Sequence, residues 1–286
     1  MKIKEILKKG SSILIESNIE DAYLKARILL SNILGTNKEY LIIHSEEEID
    51  EKIYNQYMNE IEKLKNHEPI QYIVKKQEFM GFNFYVDNNV LIPQPDTENL
   101  VEEVLTIANF LKKDSKQTHI NILDLCTGSG AIAISLSKIL NSEKVRVYGT
   151  DISESALKIA EKNAIQNSAK VKLLKSDIFK NLSKEYKFDI IVSNPPYIET
   201  ETIPNLSEEV RREPHIALDG GQDGLFFYKE IIKNAKNYLK ENGYLAFEIG
   251  YNQREQVENE LKQNEYKNIY SKKDLSGNDR VVVAQK

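Results

Sequence analysis

The sequence predicts an α/β protein, an open, mostly parallel, doubly wound sheet preceded by a small helical domain. Three observations predict it. Apolar residues recur at helical spacing through roughly the first 70 positions, short apolar runs alternate with helical patterns from residue 98 onward, and a glycine-rich turn follows the first of those runs. A length of 286 residues fits two domains.

Taken in order, Ile3, Ile6, Leu7, Ile13 and Leu14 mark a first helix, and Ala22, Ala26, Leu29, Leu30 and Ile33 a second. After the acidic run Glu46–Asp50, Ile53, Tyr57, Ile61 and Leu64 mark a third, with carboxylates well placed near its start. Pro69 is expected to end the helical region. Residues 78–92 alternate apolar and polar around Gly81 and Asp87–Asn89, which predicts a linking hairpin. Helices are then expected over Glu98–Leu111, Ala131–Leu140, Ser153–Asn167 and Leu225–Leu239. Strands are expected over Asn121–Leu125, Val145–Thr150, Val171–Leu174, Phe188–Ser193 and Tyr244–Ile249, with a closing antiparallel hairpin from Tyr266–Ser271 and Arg280–Ala284.

Composition narrows the function. The chain is 41% hydrophobic and 29% charged, which is ordinary for a globule. One Cys excludes an intrachain disulfide framework or a multi-cysteine zinc site, and the four His lie without ligand spacing, so no metal is expected. A net charge of −5 argues against broad wrapping of nucleic acid. No apolar run approaches the ~18 residues of a membrane span, and the start lacks the apolar core of a signal peptide, so a cytoplasmic location is expected.

Asp124-Leu-Cys-Thr-Gly-Ser-Gly130 lies where a strand ends and a helix begins. Glycines there admit a ligand close to the backbone, and the acidic Asp151 follows at the next strand end, placed to accept from both hydroxyls of a ribose. By itself the loop fits a nicotinamide enzyme, a methyltransferase or a plain strand–helix turn. Cys126 has no neighbouring His to activate it and reads as a small buried filler.

Phe188-Asp-Ile-Ile-Val-Ser-Asn194-Pro195-Pro196-Tyr197 is more specific. Neither proline carries an N–H, and residues before proline are held away from helical geometry, which stiffens Asn194 and Pro195. The Asn194 side chain and the Pro195 carbonyl make an arc of acceptors, followed by the flat face of Tyr197. That arc suits a planar amino group with two donors and a face to stack on.

Such an Asn/Asp-Pro-Pro-Tyr/Phe segment is the acceptor motif of S-adenosylmethionine-dependent methyltransferases acting on planar amino groups. VSNPPYIE, with EPHIALDGGQDGLFFYK downstream and HEPIQYI, EFMGFNFYV and LIPQPDTENL upstream, resembles the bacterial release factor glutamine methyltransferases, as does the tail KKDLSGNDRVVVAQ. The resemblance runs from about residue 66 to 284 and implies three parts: a helical substrate-recognition domain over 1–75, a β-hairpin linker over 76–96 and a Rossmann-like methyltransferase domain over 97–286. It further implies methylation of the side-chain amide of the glutamine in the Gly-Gly-Gln motif of class I peptide chain release factors, by a monomer without direct nucleic-acid contact.

The resemblance assigns Asp124, Cys126, Thr127, Gly128, Ser129, Gly130, Asp151, Ile178 and Asn194 to the S-adenosylmethionine pocket, with Asp177 beside the adenine. Asn194, Pro195, Pro196 and Tyr197 would hold the substrate glutamine and carry catalysis. The chain departs from the family at Cys126 and near Lys75, where Gly is usual, and at Gln94, where Arg is usual. Gly220-Gly221-Gln222 repeats the substrate motif inside the enzyme by coincidence. The rival reading is an adenine-directed DNA methyltransferase, which would need a basic face or recognition domain.

Overall fold

The computed structural model describes residues 1–113 and 119–286, which divide into two compact units. The first comprises Met1–Lys76 with Ser207–Arg212; the second holds everything else. The expected boundary near residue 75 therefore omits one piece. Ser207–Arg212 joins the helical unit through Lys25–Glu209 (2.6 Å), His67–Glu208 (3.4 Å) and an Arg212 guanidinium bond to the Asn66 carbonyl (2.9 Å), partners far apart in sequence.

Five helices build the helical unit: α1 (Ile3–Glu16), α2 (Ala22–Leu34), α3 (Lys38–Ile43), α4 (Glu51–Lys65) and α5 (Ile70–Val74). Their apolar faces form one core that includes Ile6, Leu14, Leu29, Leu30, Tyr57 and Ile61. Asp50 caps α4 by accepting from the Ile53 N–H at 2.8 Å, as its place at the end of the acidic run allows. Pro69 does not end the region; it precedes α5, since a fixed φ suits a helix start. Lys75 closes α5 with φ +57°, the left-handed backbone that favours glycine.

In the second unit the hairpin is shorter than the alternation predicts. It comprises β1 (Gln77–Phe79) and β2 (Phe82–Phe84), turning at Met80–Gly81. From Tyr85 the backbone leaves the ladder. The Tyr85 N–H and carbonyl both bond the buried Asn163 amide, at 2.7 and 3.0 Å, while Val86, Val90 and Ile92 enter the core. Asn163 also donates to the Ser129 carbonyl at 2.9 Å, so one side chain ties the hairpin exit to the glycine loop.

After α6 (Glu98–Lys112) come β3 (Ile120–Leu125), α7 (Ala131–Leu140), β4 (Val145–Asp151), α8 (Glu154–Gln166), β5 (Val171–Lys175) and β6 (Phe188–Ser193). Then follow α9 (His215–Leu218), α10 (Phe226–Ala235), β7 (Leu239–Glu248), α11 (Arg254–Gln263), β8 (Lys267–Lys273) and β9 (Asp279–Gln285). The seven strands order as β5-β4-β3-β6-β7-β9-β8. The first five run parallel and the closing pair antiparallel. Both faces are covered, so β6 is buried at every position. The chain turns to opposite sides of the sheet after β3 and β6, and their carboxyl ends form the switch-point crevice where such sheets bind ligands.

Two differences from sequence expectation have simple causes. The helix expected to reach Leu239 stops at Ala235, because Leu239 pairs with Phe188 and starts β7. Helix α11, unexpected from the pattern, buries only Val257 and Leu261, too few apolar positions to stand out among its charges.

Candidate active site

A cavity of about 240 Å³ opens at the carboxyl ends of β3, β4 and β6. It is lined by Cys126 and Gly128 after β3, by Asp151, Ile152 and Ser153 after β4, by Asp177 and Ile178 after β5, and by Asn194 with Pro196 after β6. Asn89, Val90, Leu91, Pro214, Ile216 and Ala217 line it as well, with Phe226, Phe227, Glu230, Ala156, Ser176 and Lys180.

The glycine loop is held from beneath. Asp124 is fully buried and accepts from the Thr127 hydroxyl at 2.5 Å and the Ala133 N–H at 3.2 Å; burial pushes its carboxyl up to about 7. Asp124, Thr127, Ser129 and Gly130 do not line the cavity; they lie behind it and fix the loop's shape. Gly128, by contrast, faces open space, its nearest would-be neighbour the Cys126 carbonyl at 4.0 Å, so a ligand can approach its backbone.

Asp151 ends β4 with one oxygen on the Gly128 N–H (2.9 Å) and the other on the Ser153 N–H (2.8 Å). Burial raises its proton affinity, and these N–H groups oppose the rise. The carboxylate is thereby fixed in orientation, and its remaining lone pairs can accept from a vicinal diol. Asp177 reaches the rim and pairs with Lys180.

Cys126, expected as a small buried filler, is half-buried and lines the cavity wall with φ +59°. Ile178 lines the same cavity at φ +50°, an unusual conformation for a β-branched residue. Strained backbone of this kind concentrates at ligand sites. Of the chain's three departures from the family, Cys126 stands where the backbone is left-handed and glycine fits best, and so does Lys75, near which the family often has Gly. The third, Gln94, is exposed and donates to the Ile92 carbonyl at 3.1 Å.

The Asn194–Tyr197 segment is supported from three directions. The Asn194 side-chain NH₂ donates to the Thr97 hydroxyl at 3.2 Å, leaving its carbonyl oxygen free to accept. The Tyr197 hydroxyl turns inward to Glu248 at 3.3 Å, and its carbonyl accepts from the Gln253 amide at 2.9 Å. Gly220 and Gly224 pack against the Tyr197 backbone so closely that a Cβ on either would meet it at 2.7 and 2.5 Å. Asn194 and Pro196 reach the cavity; Pro195 and Tyr197 do not line it.

Sequence reasoning assigned no role to Val90, Leu91, Pro214, Ile216, Ala217 or Phe227, although the segments LIPQPDTENL and EPHIALDGGQDGLFFYK signalled the neighbourhood of several. Glu213, buried and pushed up to about 7 by that burial, accepts from the Ile92 N–H at 2.8 Å and clamps these two wall segments together.

Comparison with known proteins agrees with this geometry. A methyltransferase domain family matches residues 116–283, and the PrmC N-terminal domain family matches residues 5–74. A release factor glutamine methyltransferase of Clostridium acetobutylicum is 41% identical, covering 99% of this chain and 98% of its own. The chain belongs to the release factor glutamine methyltransferase family. A second member of the family, from Clostridium botulinum, is 39% identical over the whole of both chains. Among solved structures, a Pyrococcus furiosus methyltransferase has a TM-score of 0.53 at 19% identity, covering 80% of this chain and 98% of that one. A Thermus thermophilus 16S rRNA methyltransferase, solved with AdoMet and guanosine, has a TM-score of 0.51 at 19% identity, over 74% of this chain and 49% of that one. These two show a shared Rossmann-like methyltransferase fold.

Proposed function

We propose that the protein methylates the side-chain amide nitrogen of the glutamine in the Gly-Gly-Gln motif of class I peptide chain release factors, with S-adenosylmethionine as methyl donor. The observation that carries the reading is the Asn194 amide. Its NH₂ donates to Thr97, so its carbonyl oxygen remains an acceptor at a cavity that Asp151 and the open face of Gly128 also line.

The residues present fit the donor. Asp151 would accept from the ribose hydroxyls, Ile152 and Ile178 would cover the adenine with Asp177 at its edge, and Gly128 would admit the chain close to backbone. When bound, the sulfonium supplies an electrophilic methyl group. The protein's task is then alignment. An amide lone pair is shared with its carbonyl, and the barrier of ~18–20 kcal/mol to rotation about such a C–N bond measures that sharing. The Asn194 acceptor on one N–H bond would aim the nitrogen and stabilise the positive charge that develops on it. Correct orientation is worth effective molarities of ~10⁵–10⁸ M. No side chain at the site is required as a dedicated base, because the methylated nitrogen is acidic enough to lose its proton to water.

A glutamine side chain offers few handles, so choosing one glutamine in one protein requires contacts elsewhere. The helical unit supports that role. It exposes Tyr23, Ile42 and Ile43, at 65%, 61% and 77%. Among the described residues, no helix is long and apolar enough to cross a membrane.

The test is incubation with labelled S-adenosylmethionine and either a release factor or DNA. One methyl on the Gly-Gly-Gln glutamine, found by mass spectrometry, is the expected result. Label in DNA alone would establish the adenine-directed alternative instead.

A further inference from the structure

We propose that Thr97 and Glu248 form a relay that sets which end of the Asn194 amide faces the substrate, making both positioning residues for methyl transfer. The proposal rests on the assignment of Asn194 to the glutamine acceptor.

An asparagine amide has nearly the same shape when turned over, but its hydrogen-bonding sense reverses. Turned the wrong way, the Asn194 NH₂ would confront the substrate NH₂, donor against donor. Nothing within residues 194–197 decides between the two orientations. Thr97 does, because its hydroxyl accepts from Asn194 Nδ2 at 3.2 Å.

A hydroxyl has one hydrogen, and Thr97 is only 4% exposed, so that hydrogen must find a partner inside the protein. The nearest buried carboxyl is that of Glu248, only 2% exposed: Ser193 pairs with Phe247, so Asn194 and Glu248 follow side by side on β6 and β7, and Thr97 is hydrogen-bonded to Asn194. Oε1 of Glu248 accepts from the Tyr197 hydroxyl at 3.3 Å, while Oε2 is buried and makes no hydrogen bond. An ionised carboxylate has acceptors only. It therefore turns the Thr97 hydrogen toward itself and leaves the hydroxyl's lone pairs for Asn194.

The groups around Glu248 come from several elements. Arg280 of β9 attracts it, although Asp96 (3.0 Å) and Asp274 (3.1 Å) share that guanidinium. Tyr228 of α10 donates to the Glu248 carbonyl oxygen at 3.0 Å. Burial pushes the carboxyl up to about 7; Thr97, Arg280 and Tyr197 oppose the rise, and Asp96 adds to it. Protonated Glu248 is a donor, which frees the Thr97 hydrogen to point at Asn194 and turn its amide over. Turnover should therefore decline as pH falls through the region of 7, with no loss of cofactor affinity.

The experiment compares wild type, Thr97→Ser, Thr97→Val and Glu248→Gln. It measures kcat, KM for the release factor and Kd for S-adenosylmethionine between about pH 6 and 9. Thr97→Val should lower kcat by about 10- to 100-fold, the worth of one mismatched buried hydrogen bond, with the cofactor Kd unchanged. Thr97→Ser should restore it to within about 3-fold. Glu248→Gln should lower kcat and flatten the acidic limb of the profile. Should Glu248→Gln fail to fold, the Thr97 pair decides alone, because valine matches threonine in shape. Wild-type kcat in Thr97→Val overturns the relay, as does an acidic limb unchanged in a folded Glu248→Gln. A parallel loss of cofactor affinity would mark a merely structural role and also overturn it. An inactive wild type would instead overturn the substrate reading beneath it.

Discussion

Substituting Gly220 by alanine should disable catalysis from outside the cavity. Gly220 does not line the cavity, and its φ is one that alanine adopts freely, so the cost is purely one of space. An added Cβ would lie 2.7 Å from the Tyr197 Cα, 2.8 Å from its carbonyl carbon and 2.9 Å from the Gly224 oxygen. To regain a carbon–carbon contact of about 3.5 Å, the two backbones must part by about 0.8 Å from their 2.7 Å approach. Both are tied. The Gly220 N–H donates to the Ile198 carbonyl at 2.8 Å, the Ile198 N–H to the Leu218 carbonyl at 3.0 Å, and the Thr200 N–H to the Gly221 carbonyl at 3.0 Å. Parting them breaks this ladder or moves Tyr197 and the prolines before it. Overpacking of this kind costs about 1–3 kcal/mol of stability, and a displacement near 1 Å costs about 100-fold in rate. For Gly220→Ala we expect kcat to fall about 10- to 100-fold in transfer of labelled methyl to a release factor, with cofactor affinity by calorimetry close to wild type. Gln222→Ala, at an exposed position two residues on, should be silent. Wild-type kcat and melting temperature in Gly220→Ala would refute the reasoning.

The other expectations test separate parts. Asp151→Ala removes a charge-assisted contact worth about 1.5–3 kcal/mol and should weaken S-adenosylmethionine binding about 10- to 100-fold by calorimetry; unchanged affinity would remove Asp151 from the pocket. Lys75→Gly relieves a left-handed φ of +57° at an exposed helix end and should stabilise by about 0.5–1 kcal/mol, seen as a higher melting temperature; a lower one contradicts the strain argument. Asp124, Glu213 and Glu248 are all pushed up to about 7 by burial, so the folded protein keeps their protons in a range, from about pH 4 to 7, where the unfolded chain has lost them. The native state then binds more protons, and stability should fall as pH rises through that range and level off above it. A melting temperature that climbs between about pH 5.5 and 8 would show these groups to be ionised throughout. Replacing Ile43 by aspartate, on the exposed face of the helical unit, should raise KM for the release factor and leave cofactor affinity alone; unchanged KM would move recognition elsewhere.

Most secondary elements of the parallel sheet, and the presence of a separate helical unit, were legible in the sequence, because apolar periodicity and turn residues act over a few neighbours. That Gly128, Asp151 and Asn194 lie at one sheet edge was legible for the same reason: each sits within a few residues of a strand end, and strand ends of a parallel sheet share one edge. Residues whose role depends on distant partners were not legible. Asp124 looked like a ligand contact and lies beneath the loop, since only the packed structure shows that its carboxylate is spent on Thr97 and Ala133. Ser207–Arg212 reads as part of the catalytic domain until Lys25, His67 and Asn66 are seen to hold it in the helical unit. Thr97, Asn194 and Glu248 are scattered along the chain, and no local pattern links them. They meet because the strand order sets β6 beside β7, so that Asn194 and Glu248 emerge side by side at the same edge, and the turn into α6 brings Thr97 against both. Local sequence decides which groups can donate or accept; only the sheet order decides which of them share a buried hydrogen.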